Sequence, residues 1–255
     1  AIMLSYRLSV DSYFNFFTKN GGIQNLNLGR VANFIVLTVL QKLNVNIVAD
    51  QKILTAVLLL VMAWCVTTLL YRLRDFLNIQ KPLQIFLADL AISLAFVNVF
   101  AAELFHFADM AIFWAGMFLF VVLALECFFS QNIWVKYLLT FINLSVALSF
   151  YQATIATYVI FGMTFLMLKH HLRFGKPLIK ETAEFLGIGV VAALLNIKPL
   201  DILIALGITK GSNRNPSFAI SDILNNAMKV LQYQKTVLID GYSLTSYWNI
   251  VMLSI

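Results

Sequence analysis

Long apolar runs alternate with short polar, basic breaks along most of this chain. Residues 53–70, 83–105, 110–129 and 151–168 are each close to the ~20 apolar residues that cross a ~30 Å hydrocarbon layer, and 137–150 is a shorter run of the same character. The break at 71–81 carries Arg72, Arg74 and Lys81, and Pro82 opens the next helix. The break at 169–180 carries Lys169, His170, His171, Arg173, Lys176 and Lys180. Residues 103–109 and 130–136 read as tight turns. The pattern predicts about six helical spans.

The remaining stretches have other periods. Residues 9–30 are polar and hold Asn20, Gly21, Gly22 and Gly29, which predicts a loop with short helical pieces. In 31–43, Val31, Phe34, Ile35, Thr38 and Val39 recur at helical spacing beside polar Asn33, Gln41 and Lys42. That is either an amphipathic helix in the membrane interface or an ordinary packed helix. Residues 181–208 are long enough to cross, with Lys198 and Asp201 paired on one face. Alternatively the span ends near Leu195 and the rest re-enters or lies flat. After a polar loop at 209–215, 221–231 reads as an amphipathic helix, with Ser221 as N-cap and Ile223, Leu224, Ala227, Met228 and Leu231 on one face. Residues 1–8 and 248–255 resemble parts of further helices, so a longer natural chain is expected. The expected organisation is a single transmembrane domain over 1–255: a first extracytoplasmic loop at 9–52, a bundle at 53–208 and a second large loop at 209–247.

Composition agrees with lipid as the solvent. The chain is 61% hydrophobic and 12% charged, with a mean hydropathy of +0.85, whereas soluble domains carry roughly 25% charged residues. The fold class expected is an all-α, polytopic integral membrane protein with interfacial amphipathic helices on the outer side. The net charge of +6 comes from residues in the short breaks, where the positive-inside rule puts them, and does not point to nucleic acid. Cys65 and Cys127 both lie in apolar runs, which excludes a disulfide framework, and 1–10 lacks the pattern of a cleavable signal peptide. With 71–81 and 169–180 both cytoplasmic, Asp11, Arg30, Glu103, His106, Asp109, Gln152, Lys210 and Arg214 fall on the outer face.

These outer residues carry the candidate chemistry. Glu103, His106 and Asp109 are spaced by three, so on a helix they share a face. A carboxylate at the interface has a raised proton affinity through desolvation and suits general-base work; the alternative is that Glu103 and Asp109 simply mark a tight turn. Asp11 stands at the outer exit of a first span. Arg30, directly after Gly29 and opening a helix, is placed to bind an anion with free backbone N–H groups. Lys210 and Arg214 either hold a phosphate or anchor the chain among headgroups. Adjacent His170 and His171 point different ways on a helix and have no Cys or carboxylate at ligand spacing, so no metal is expected. No phosphate-binding loop, dinucleotide motif or nucleophile elbow is present, so neither a cofactor nor ATP-driven transport is expected.

Four stretches in this order carry a resemblance: Leu8–Asp11, Gly29–Arg30, Glu103–Asp109 and Phe150–Ala153. The chain resembles the bacterial multi-span glucosyltransferases of the phage-encoded O-antigen serotype-conversion family, a branch of the GT-C superfamily. The resemblance implies a GT-C-like fold in the bacterial cytoplasmic membrane, with its active site facing outward. It implies transfer of glucose, or a related hexose, from a polyprenyl-phosphate donor to a surface polysaccharide or cell-wall polymer. It makes Asp11 the base for the acceptor hydroxyl, with Glu103 as a second catalytic acid. Arg30 would contact phosphate or sugar, Glu103 and Asp109 would bind acceptor or donor hydroxyls, with His106 among the substrate-binding residues, and Tyr151 and Gln152 would line the cavity. Lys210 and Arg214 join them as substrate-binding residues. Membrane lipid, a lipid-sugar flippase and a polyprenyl-phosphate glucosyltransferase of the same pathway are the other implied partners. Many relatives have a second acid directly after the first, whereas this chain has Ser12, which argues against a metal-bridged pair.

Two other classes compete. A flippase for lipid-linked sugars would show paired halves and ionisable groups at mid-membrane; Lys198 and Asp201 fit this, but no internal repeat does. A non-catalytic subunit of a membrane complex would tolerate replacement of Glu103, His106 and Asp109. Polar residues gathered outside, over an almost empty midplane, favour the enzyme.

Overall fold

The computed structural model describes residues 25–96, 110–208, 228–229 and 232, with the side chains of 95–96, 197–200 and 203 left aside. Asp11, Glu103, His106, Asp109, Lys210 and Arg214 lie outside the described residues, as does nearly all of the helix expected at 221–231. The chain divides into two units, Ala1–Ser212 and Asn213–Ile255. The described residues of the second unit, Met228, Lys229 and Gln232, are helical.

Among the described residues the first unit is all helical, without strands. Its helices are α1 (Val31–Lys42), α2 (Gln51–Leu77), α3 (Pro82–Phe96), α4 (Ala111–Phe128), α5 (Thr140–Phe150), α6 (Thr154–Lys169) and α7 (Lys176–Ala205). A π-helical turn, Val135–Leu139, runs directly into α5. Two of these helices, α2 with 27 residues and α4 with 18, are long and apolar enough to cross a membrane. At 1.5 Å per residue they reach about 40 and 27 Å. The described part of α3, the π-turn with α5, and α6 are apolar but shorter.

The helix boundaries correct the sequence reading in two places. The break expected at 71–81 is not a loop until Asn78: α2 continues through Arg72 and Arg74 to Leu77. No residue from 71 to 77 breaks a helix, and Arg74 in the last turn complements the negative end of the helix dipole. Asn78 then stops the helix in the left-handed region, at φ 50°, with its N–H on the Arg74 carbonyl. At 181–208 the structure has a single 30-residue helix, α7, which starts earlier than expected, at Lys176, and runs past Leu195 to Ala205. The turn before α5 follows a simpler rule: the Asn132 side-chain oxygen accepts the Trp134 N–H at 2.9 Å, the act of an N-cap.

The core lies around α4, which packs on α2, α5 and α6. Its lining is aromatic as well as aliphatic. Tyr158 of α6 and Phe185 of α7 are fully buried and stacked at 4.1 Å. This pair needs Gly162, where a methyl group would overlap the Phe185 ring. Asn196 of α7 donates to the Ser145 carbonyl of α5 at 2.7 Å, a polar tie within the apolar bundle. The outward surface stays apolar: Leu60 is 72% exposed, and Leu83, Phe86 and Val190 are also exposed. Exposed large apolar side chains in such number suit contact with lipid better than with water.

Candidate functional site

The polar groups gather at two ends of the first unit. Trp114 and Glu126 mark them on α4, Thr154 and Lys169 on α6, so the ends are about 20 Å apart along the helices.

The Arg30 end is built by a helix stop. Gly29, at φ 73°, ends the helical residues before it. The Gly29 N–H bonds the Leu26 carbonyl at 2.9 Å, and the Arg30 N–H bonds the Asn25 carbonyl at 2.8 Å. This pair of bonds is a Schellman cap, and only glycine takes that conformation without strain. The cap takes up the Arg30 N–H itself, and Arg30 is the N-cap residue of α1. The Arg30 side chain instead places its guanidinium 4.9 Å over the Tyr151 ring, within cation–π range. Tyr151 sits in the three-residue junction between α5 and α6, in extended backbone. Its ring meets Trp114 of α4 edge-to-face at 5.2 Å.

Gln152, the next residue, donates its side-chain amide to the Leu28 carbonyl at 2.8 Å. That carbonyl belongs to the end of the preceding helix and has no helical donor of its own. Gln152 thus pins the Gly29 turn to the α5–α6 junction. Three residues singled out from sequence, Arg30, Tyr151 and Gln152, come together here although Arg30 stands more than a hundred positions from the other two. Their expected companions Asp11, Glu103, His106, Asp109, Lys210 and Arg214 fall outside the described residues. Two further groups escaped sequence reading. Trp114 Nε1 and Thr154 Oγ1 are buried without a hydrogen-bond partner among the described residues. Each sits in the first turn of an apolar helix, where a sequence offers no signal beyond an amphipathic residue type.

The Arg72 end is electrostatic. Arg72 on α2 pairs with Glu126 on α4 through two hydrogen bonds, Nε to Oε1 at 3.2 Å and Nη2 to Oε2. Lys136 in the π-turn meets Glu184 on α7 at 2.5 Å. Lys169 at the end of α6 donates to both oxygens of Glu181 on α7, at 2.9 and 2.8 Å, and His170 reaches Glu181 at 3.3 Å. A carboxylate near His170, absent at ligand spacing in sequence, is thus supplied by the fold. Aromatic rings back the cations: Arg72 lies 5.8 Å from both Phe76 and Phe129, Lys169 lies 5.9 Å from Phe129, and Lys136 lies 5.0 Å from Phe128. An open cavity of about 830 Å³ lies among these groups.

The pairing shifts the titrations of groups outside the apolar stretches. The hydrogen bond from Lys136 holds the Glu184 carboxyl below its usual range. Burial alone would push Glu181 up, but Lys169 and His170 outweigh it and the carboxyl is lowered. Burial works against the Lys136 ammonium, and Glu184 outweighs that and raises it. Glu126 was not singled out from sequence; a carboxylate inside an apolar run was the available signal, since such groups almost always face a partner.

Among the described residues, no group of three or more His, Cys, Asp or Glu side chains is arranged to hold a metal. Comparison of the chain with protein-family models, with curated proteins and with solved structures gives no match.

Proposed function

We propose that this protein is a multi-span, GT-C-like membrane glycosyltransferase that moves glucose or a related hexose from a polyprenyl-phosphate donor to a surface glycan. The observation that carries the reading is the convergence of Arg30, Tyr151 and Trp114 at one end of the bundle. The basic breaks favour that end as the outer one, because Arg72, Lys136 and Lys169 gather at the other. The exposed apolar surface and the two membrane-length helices support a bilayer setting.

The chemistry suits the donor. A polyprenyl phosphate stays in the bilayer, so its sugar is presented at the interface. A guanidinium there stabilises the charge developing on the leaving phosphate. The aromatic pair offers a flat apolar wall to the sugar ring. Asp11 is the proposed base and Glu103 its helper, so the acceptor hydroxyl is aligned and deprotonated on the water side. His106, Asp109, Lys210 and Arg214 complete the proposed donor and acceptor contacts.

The test is sugar transfer in membranes from synthetic polyprenyl-phosphate glucose. Asp11→Asn, Glu103→Gln and Arg30→Ala are each expected to lose ~100-fold or more in rate at unchanged protein level. Wild-type protein that binds the lipid and transfers no sugar to any surface glycan overturns the reading in favour of a flippase or a non-catalytic subunit.

A further inference from the structure

The turn between α6 and α7 is built unlike the ion-paired network beside it. The His171 N–H bonds the Leu168 carbonyl at 2.9 Å, and the Leu172 N–H bonds the Met167 carbonyl at 2.8 Å. That is a Schellman cap made without glycine, with His171 at φ 50° and Leu172 at φ 58°. A bulky residue in the left-handed region is strained. The apolar residue of such a cap usually packs back on its own helix. Leu172 faces outward instead, 63% exposed, and Phe174 is 80% exposed. Two large apolar side chains thus stand at the tip of the turn.

The rest of the turn is basic. Residues 169–180 hold four Arg and Lys and no Asp or Glu. The next acids, Glu181 and Glu184, are taken by Lys169, His170, Lys136 and, at 4.0 Å, Lys180. Arg173 and Lys176 are exposed and make no hydrogen bond or ion pair among the described residues. Lys176 opens α7, whose first turn holds no acid. The chain itself therefore leaves these two charges without an offset. Trp134, 74% exposed, stands at the same end, just before the π-turn whose Lys136 reaches α7.

We infer that the α6–α7 turn docks on anionic lipid, with Leu172 and Phe174 in the acyl boundary and Arg173 and Lys176 on headgroup phosphates. The inference rests on the bilayer setting of the bundle and not on sugar transfer. Leucine and phenylalanine interleaved with unpaired cations match the chemistry of an interfacial anchor. Long basic side chains reach headgroups while their stems lie in the apolar layer. Tryptophan settles at headgroup level, which suits Trp134. The two free charges are complementary to the anionic surface of the cytoplasmic leaflet, the side on which basic breaks are retained.

The experiment places the purified full chain in nanodiscs of mixed phosphatidylglycerol and phosphatidylcholine and counts the retained lipids by native mass spectrometry. An excess of phosphatidylglycerol is expected. Arg173→Gln with Lys176→Gln should lower that excess about fivefold or more, and high salt should lower it too. Lys52→Gln removes one charge at the start of α2, about 30 Å along that helix from Arg72, and should leave it unchanged. Phe174→Ser should lower retention severalfold. Leu172→Gly relieves the strained backbone, so it should raise the thermal unfolding temperature while lowering retention, a split that a purely structural role does not produce. Equal retention of both lipids, or equal losses from Lys52→Gln, overturns the inference. So does a dimer that Phe174→Ser dissociates, which would give the turn to a second copy of the chain. Failure to enter nanodiscs of either lipid would instead overturn the bilayer setting, and the inference with it.

Discussion

The Arg30 end and the Arg72 end of the bundle both hold cations against aromatic rings, but they are made by different physics. At the Arg72 end, Arg72, Lys136 and Lys169 each meet a carboxylate carried by another element, so charge staples α2 to α4, the π-turn to α7, and α6 to α7. At the Arg30 end the described contacts are a glycine cap, a side-chain amide on a carbonyl, and rings packed edge-to-face. The first arrangement is tied to the protonation of its carboxylates and to salt. The second is set by backbone geometry and ring packing around one cation–π contact, with no carboxylate among its described contacts to titrate. One end of the same bundle is thus tuned by the medium and the other by the chain.

The sharpest way to break this contrast is to remove one half of a staple. Arg72 and Glu126 are each only 23% exposed, so Glu126→Ala strands a largely buried guanidinium. A loss of about 2 kcal/mol in unfolding free energy is expected, and Arg72→Ala/Glu126→Ala together should cost less than the sum of the singles. Denaturation in detergent, run as a double-mutant cycle, measures it, and strict additivity would remove the staple from the account. The counterpart at the other end is Gly29→Ala. A left-handed alanine costs about 1 kcal/mol, and the shift of the turn draws Arg30 off Tyr151. Transfer activity should therefore fall by more than the small drop in stability explains; equal effects on both would dissociate the turn from the site.

The smallest effect expected is on acidity. Glu181 and Glu184 are lowered in the folded state, so the stability they contribute is present above the ordinary carboxylate range. It is lost as pH falls through their lowered values. Lys136 is raised, so its share is present below its usual 10.5 and lost as pH climbs past the raised value. Thermal unfolding between pH 3 and 6, about the range in which carboxylates titrate, should show destabilisation on the acid side that Glu181→Gln with Glu184→Gln abolishes. Arg30–Tyr151 contacts, followed by Trp114 fluorescence, should not respond over that range.

Much of the fold was legible because its signals are local. Apolar runs and Pro82 at a helix start act within a turn or a few turns of chain. The misplaced end of α2 is instructive: Arg72 and Arg74 read as a loop because charge was taken as a break, yet arginine is a good helix former and only Asn78 ends the helix. At the candidate site, Arg30, Tyr151 and Gln152 were singled out one by one. What joined them, a cation over a ring and an amide on a helix-end carbonyl, is invisible in a linear chain.

By itself, the sequence determined the all-helical class and placed the apolar runs; of the about six spans it predicts, two described helices are long and apolar enough to cross a bilayer, because hydrophobic length is a property of neighbouring residues. Only the tertiary structure decided which cation meets which carboxylate, that Glu126, Glu181 and Glu184 would neutralise one end, and that Arg30 would settle on Tyr151. Those pairings depend on which helix faces which. That choice is made by ring-against-backbone packing such as Phe185 on Gly162, between residues with no relation along the chain.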